Sequence, residues 1–218
     1  MLFRSCFYAL LPGYLVPMFG YNPLVIALSF GYLIAVAVTA HVALGAARVT
    51  TALYALSLQA SAFTVGTLIA LVAVFPMLLA VPMGRVIDRI GVRRPLMAGC
   101  LLASAGVMLA ATVRGLTVLY PAAILIGTGF MAIYIGAQHA VGTLAPPDQR
   151  TASYSRLSLG FSISSFTGPL IAGFVIDHSH YSVAYLSCGA FTLAAFALSA
   201  SGALRSLPTG TVTVTQRK

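Results

Sequence analysis

Along most of the chain, apolar positions run on in stretches too long for an amphipathic soluble helix, and polar positions collect in short breaks between them. About 20 residues at 1.5 Å each cross a hydrocarbon core of about 30 Å. On that ruler six spans are predicted: Leu24 to Thr51, Phe63 to Met83, Pro95 to Val113, Leu116 to Gly142, Leu157 to Ile176 and Tyr181 to Leu204. The breaks are a linker from Ala52 to Ala62, the charged run Gly84 to Arg94, the pair Arg114-Gly115, the loop Pro146-Pro147-Asp148-Gln149-Arg150, and the turn Asp177-His178-Ser179-His180. Prolines in the second span and at the fourth break punctuate the pattern without shortening the spans below membrane length.

The ends divide off. Residues 1–24 carry Arg4 and an apolar run interrupted by Pro12, Pro17 and Pro23. They read as an interfacial or disordered lead-in, with a seventh span as the alternative. Residues 25–205 form the six-helix membrane domain, and 206–218 form a polar cytoplasmic tail of alternating Thr and Val.

Composition sharpens this. The 218 residues are 60% hydrophobic and 7% charged, with a mean hydropathy of +0.99 and no glutamate. A soluble domain is roughly 25% charged, so the lipid bilayer is the solvent this chain needs. The net charge of +9 is scattered over break positions. It forms no basic stripe with interleaved aromatics, which argues against nucleic acid. Cys6, Cys100 and Cys188 lie in or beside apolar runs without Cys-x-x-Cys spacing and read as small buried side chains. No cofactor or metal site is indicated. Asp177-His178-Ser179-His180 has ligand-type residues, but two histidines one residue apart do not share a helix face. There is neither a hydrolytic constellation nor a paired intramembrane carboxylate, so the chain is not read as an enzyme.

The charges also orient the chain. With the Gly84–Arg94 run in the cytoplasm, Arg4, Arg85, Arg89, Arg93, Arg94, Arg150, Arg156, Arg205, Arg217 and Lys218 fall inside, and only Arg48 and Arg114 fall outside. This positive-inside bias predicts a multi-pass protein of the cell inner membrane with cytoplasmic N- and C-termini. A faint repeat supports an inverted arrangement. Gly84-x-Val86-Ile87-Asp88 closes the second span and Gly173-x-Val175-Ile176-Asp177 closes the fifth. Three spans apart, the two copies face opposite sides, as an inverted 3+3 repeat requires.

Gly84-x-x-x-Asp88-Arg89-x-Gly91-x-Arg93-Arg94 resembles the loop between the second and third helices of the major facilitator superfamily. Pro147-Asp148-x-Arg150 is similar to the superfamily's element in the next cytoplasmic loop. Gly160, Gly168, Pro169 and Gly173 resemble the fifth-helix motif of its drug-exporting members, with Ala172 standing where a glycine is usual. Ala123 stands where many proton-coupled members carry an arginine four residues before Gly127, which argues against that kind of coupling. The likeness covers about residues 25 to 205, one N-terminal six-helix half.

That resemblance implies an alternating-access transporter of small organic solutes or drugs, working in efflux. It implies a partner too, either a second copy in a homodimer or a separately encoded second half. A non-transporting membrane protein or partner-binding subunit is the alternative. The first, second, fourth and fifth helices would face the cavity. Gly84, Arg85, Asp88, Arg89, Gly91, Arg93 and Arg94 would form a conformational latch, with Gly84 and Gly91 permitting close approach and Asp88 meeting the second half.

Candidate solute contacts are His41, Tyr134 and Gln138. Intramembrane ionisable groups are costly and usually face a cavity. Seven residues place Arg48 on nearly the same helix face as His41, about 10 Å along. His41 is read either as a cavity wall or as hydrogen-bonded to a neighbouring helix, and Arg48 as reaching outward. Ser155, Ser158, Ser162 and Ser165 share a helical face and are read as either packing or cavity lining. His139 is read as interfacial.

Overall fold

The computed structural model describes residues 23–145 and 147–201. The predicted lead-in, the tail and Cys6 lie outside the described residues, apart from the first two residues of the opening helix. Six helices follow one another: α1 Pro23–Ser57, α2 Ala62–Ile90, α3 Arg93–Thr112, α4 Leu116–Leu144, α5 Arg150–His178 and α6 Tyr181–Ala200. All six are long and apolar enough to cross a membrane. No strand occurs among the described residues. The fold is all-α, as the hydrophobic pattern predicts.

Several helices run past the predicted breaks. α1 runs on to Ser57, so the linker shrinks to residues 58–61, and Ser61 caps α2 by accepting from the Thr64 N–H at 3.2 Å. α2 passes through Pro76 and Pro82 and continues to Ile90. The charged run is therefore mostly helix, not loop, and only Gly91 and Val92 separate α2 from α3. α5 likewise begins at Arg150, not Leu157. Hydropathy marks where lipid contact stops. The helix itself continues into the headgroup layer, because nothing there removes its backbone hydrogen bonds. Gly91 ends α2 at φ 80°, a conformation that favours glycine, with its N–H donating to Ile87 O at 2.9 Å.

Contacts between helices show the inverted repeat. α1 packs along α5 and α6, while α4 packs along α2 and α3. α1 also meets α4, and α3 meets α6. Exchanging α1 with α4, α2 with α5 and α3 with α6 leaves this set unchanged, as an inverted 3+3 repeat requires. The repeated Gly-x-Val-Ile-Asp segments occupy the C-terminal ends of α2 and α5, which exchange under that operation.

α1 is the central post. Leu33, Val36, Ala37, Ala40, Ala43, Ala46, Ala47, Thr50 and Ala55 are buried along one side, mostly small side chains that let neighbouring helices approach. α3 and α4 approach more closely still. A Cβ on Gly129 would sit 2.5 Å from the Gly99 carbonyl and the Ala103 amide nitrogen, so only glycine fits this crossing. Two pairs of buried polar side chains meet across helices. Thr51 meets Tyr185 at 2.9 Å, tying α1 to α6. Ser104 Oγ donates to Thr192 Oγ1 at 2.7 Å, tying α3 to α6. In lipid an unmade bond of this kind has no water to replace it. Cys100 and Cys188 are free and buried in α3 and α6, as their apolar setting predicts.

α2 and α5 differ from the rest. Few of their residues are buried, and Phe63, Met77, Leu78 and Val81 on α2 and Leu159, Phe166 and Phe174 on α5 are largely exposed.

Candidate functional site

α1, α2, α4 and α5 enclose an open-sided cavity of about 270 Å³. No residue of α3 or α6 lines it. This is the division expected from the resemblance: four helices around the cavity and two outside.

His41 and Tyr134 both line the cavity, brought together from α1 and α4 by Phe161 of α5. The Phe161 ring lies 4.7 Å from that of His41 and 5.2 Å from that of Tyr134, centroid to centroid. These separations fall within the range of favourable aromatic pairs. His41 Nε2 also lies 3.1 Å from Ser165 Oγ on α5. The two readings of His41 are thus both realised. One face meets the cavity and one nitrogen meets a neighbouring helix.

Arg48 also lines the cavity and is exposed. Leu44, Val72 and Phe130 make much of the remaining wall apolar, and Pro76 supplies part of the α2 side. Phe161 was missed in the sequence. Its only signal there was a place on α5 between Ser158 and Ser162, and which α5 face turns inward cannot be read from a helix that is apolar or small on every side.

Gln138 is not among the residues that line the cavity. It is half-buried one turn beyond Tyr134, and its backbone carbonyl accepts from Tyr154 OH at 3.2 Å. The serines divide in a way the spacing did not reveal. Ser155, Ser158, Ser162 and Ser165 are exposed, so they are not the packing face. That face is Ser153, Leu157, Ser164, Gly168 and Ala172. Ser164 Oγ donates to Val38 O on α1 at 3.1 Å.

At the arginine-rich end, Asp88 has a partner within the chain. Its Oδ1 lies 3.0 Å from Nε2 of His139 on α4. His139 is therefore a partner of α2 and not simply an interfacial residue. Arg93 turns inward as well. Its Nη2 donates to Ala200 O at 2.9 Å and its Nε to Ser199 O at 3.3 Å, covering carbonyls left open at the C-terminus of α6. Arg94 is exposed. Gly84 and Gly173 have open space where a Cβ would point, so neither marks close packing within this chain. Gly168 does. A Cβ there would lie 2.5 Å from Val42 O and 2.9 Å from Ala46 N on α1, and Pro169 Cδ abuts Gly45. Gly160 is similarly closed off by Val38.

At the opposite end, His178 Nδ1 donates to Phe174 O at 2.8 Å and its ring stacks on Phe174 at 4.3 Å. Among the described residues no three His, Cys, Asp or Glu side chains are grouped as for a metal ion.

No curated protein matches the sequence. Solved structures match the fold. The peptide transporter POT in complex with sulfate superposes with a TM-score of 0.71 at 18% identity, over 90% of this chain and 40% of that one. A POT family transporter with a thioalcohol-conjugated peptide gives 0.71 at 15%, over 78% of this chain and 37% of the other. Another, with 5-aminolevulinic acid, gives 0.71 at 15%, over 83% and 38%. The chain thus spans about 40% of the length of the transporters it resembles. The family model of the Major Facilitator Superfamily matches residues 43–213. With six membrane-length helices in an inverted repeat, the four-helix cavity and this match over most of its length, the chain belongs to the Major Facilitator Superfamily.

Proposed function

We propose that this chain is a half-size unit of a secondary transporter that moves a small organic solute across the cell inner membrane by alternating access. Two halves would rock about a site near the bilayer midplane. The observation that supports this most is the shared cavity of α1, α2, α4 and α5, with His41, Tyr134 and Phe161 on one wall. His41 and Tyr134 would contact the solute directly. Gln138, a turn nearer the arginine-rich end, would meet it on the way to the cytoplasm. The termini would lie in the cytoplasm, and the direction would be efflux, as in the drug exporters whose fifth-helix motif the chain resembles.

The second half would be another copy of this chain or a separately encoded polypeptide. It would cover the exposed apolar faces of α2 and α5. Arg85, Asp88, Arg89, Arg93 and Arg94, with Gly84 and Gly91, would form the latch at the cytoplasmic end. Asp88 would then exchange His139 for the second half as the cavity changes sides, and the open space at Gly84 would take the approaching helix.

Crosslinking in proteoliposomes tests this reading. The three cysteines are replaced by serine and Ile90→Cys is introduced beside the latch. A dimer captured by a bifunctional maleimide, together with solute flux, supports the homodimer. Flux only after co-reconstitution with a second polypeptide supports the separately encoded half. A monomer that moves no solute under either condition overturns the proposal in favour of a non-transporting subunit.

A further inference from the structure

The cavity holds a cation without a counter-charge. The whole chain has three acids, Asp88, Asp148 and Asp177. Asp88 is engaged with His139 at the arginine-rich end, Asp148 lies in the short turn Pro147–Gln149, and Asp177 is at the far end of α5. None lines the cavity, whereas Arg48 and His41 both do. Asp88 with His139 is the only carboxylate–base contact among the described residues, and Arg48 makes no salt bridge there.

A guanidinium lining a cavity between membrane-length helices favours an anion or water beside it. Its planar fork of donors suits a carboxylate, sulfonate or phosphonate group held by two parallel hydrogen bonds. The rest of the wall suits a different kind of group. Phe161 and Tyr134 contribute two aromatic rings stacked on each other at 5.2 Å, and Leu44, Val72 and Phe130 are apolar. Aromatic rings alone would also attract an organic cation. Here Arg48 repels one, and no carboxylate in the cavity compensates. At about 270 Å³ the space falls just below the range of drug-sized pockets, about 300–1,000 Å³.

We infer that the cavity takes a small organic anion, with its acidic group on Arg48 and a flat apolar body against the Phe161–Tyr134 wall. This names a ligand class for the site and rests on reading the cavity as the solute site. The anion's charge would be met by Arg48 alone, so that residue decides selectivity, while the aromatic wall sets size and shape.

The test uses the full chain in nanodiscs and three aromatic probes of fixed charge, followed by calorimetric titration. Benzenesulfonate is permanently anionic, benzenesulfonamide is its neutral counterpart, and benzyltrimethylammonium is permanently cationic. Benzenesulfonate should bind at least tenfold more tightly than the other two. Arg48→Gln should remove that preference and leave the weak sulfonamide affinity as it was. Arg48→Lys should restore part of it, because the charge returns without the fork. Retained sulfonamide binding shows that the Gln variant is folded. Absence of saturable sulfonate binding, equal affinity for sulfonate and sulfonamide, or an unchanged preference in Arg48→Gln overturns the inference.

Flux separates this from the transport proposal. Benzenesulfonate that binds but does not cross proteoliposomes upholds the anion site and removes transport. Flux of benzyltrimethylammonium without sulfonate binding does the reverse.

Discussion

Asp88 Oδ1 and His139 Nε2 are 3.0 Å apart, joining the C-terminal end of α2 to α4 at the arginine-rich face of the bundle. The other ring nitrogen, His139 Nδ1, is buried and makes no hydrogen bond. Asp88 is therefore the imidazole's sole side-chain partner among the described residues. The acid of the family motif is engaged within this half, on the very helix that also supplies Tyr134 to the cavity. A contact that ties α2 to α4 at the arginine-rich end, and is half open to solvent, is open to displacement under the proposed two-half arrangement.

That pair should be weak. Asp88 is more than half exposed, at 54%, and exposed ion pairs contribute about 0.5 kcal/mol. Asp88→Asn and His139→Gln should each lower the thermal midpoint of the purified chain only slightly. A double-mutant cycle should give a coupling energy below about 1 kcal/mol. A coupling of several kcal/mol would make the contact a fixed strut and not a releasable one.

Arg93 and Arg94 should behave differently despite being neighbours. Arg93 donates to two carbonyls at the end of α6, bonds to a charged group worth about 1.5–3 kcal/mol each where partly buried. Part of that is lost to solvent screening. Arg93→Gln should destabilise the fold measurably, by about 1–2 kcal/mol. Arg94→Gln, at an exposed position, should stay within about 0.5 kcal/mol. Equal effects would refute the capping role.

The fifth-helix glycines should separate in the same way. Gly168→Ala places a Cβ 2.5 Å from Val42 O, so α1 and α5 must move apart, at a cost of about 1–3 kcal/mol. Gly173→Ala meets open space within a helix and should be neutral or stabilising by up to about 1 kcal/mol. Thermal unfolding in detergent distinguishes them. If the second half packs on α5 at Gly173, the same Gly173→Ala change should impair assembly while leaving the isolated chain's stability intact.

His41→Ala should weaken benzenesulfonate binding about tenfold, from lost ring packing against Phe161 and lost wall polarity, with membrane insertion unchanged. Ser165→Ala should have a smaller effect, because it removes the partner of one ring nitrogen and leaves the ring in place. Calorimetric titration of the nanodisc protein reads both. Unchanged affinity in His41→Ala would place the histidine outside the site.

Membrane class, the six described helices, their order and their inverted pairing were readable from the chain alone. They follow from one-dimensional quantities: the length of an apolar run against bilayer thickness, and, for the inverted pairing, the Gly-x-Val-Ile-Asp segment repeated three spans apart. The seven-residue spacing of His41 and Arg48 likewise put two ionisable groups on one face, and both line the cavity. What the chain could not express is azimuth. In a helix apolar on every side, hydropathy does not say which face meets a neighbour. The packing face of α5 at Ser153, Leu157, Ser164 and Gly168 therefore appeared only once α1 was against it. The same holds for Phe161 bridging His41 and Tyr134, for Arg93 reaching α6, and for Asp88 finding His139 51 positions away. Sequence determines how far each helix extends through lipid; the rotation and contact of one helix on another, set by where glycine and alanine let backbones close, decide what those helices hold between them.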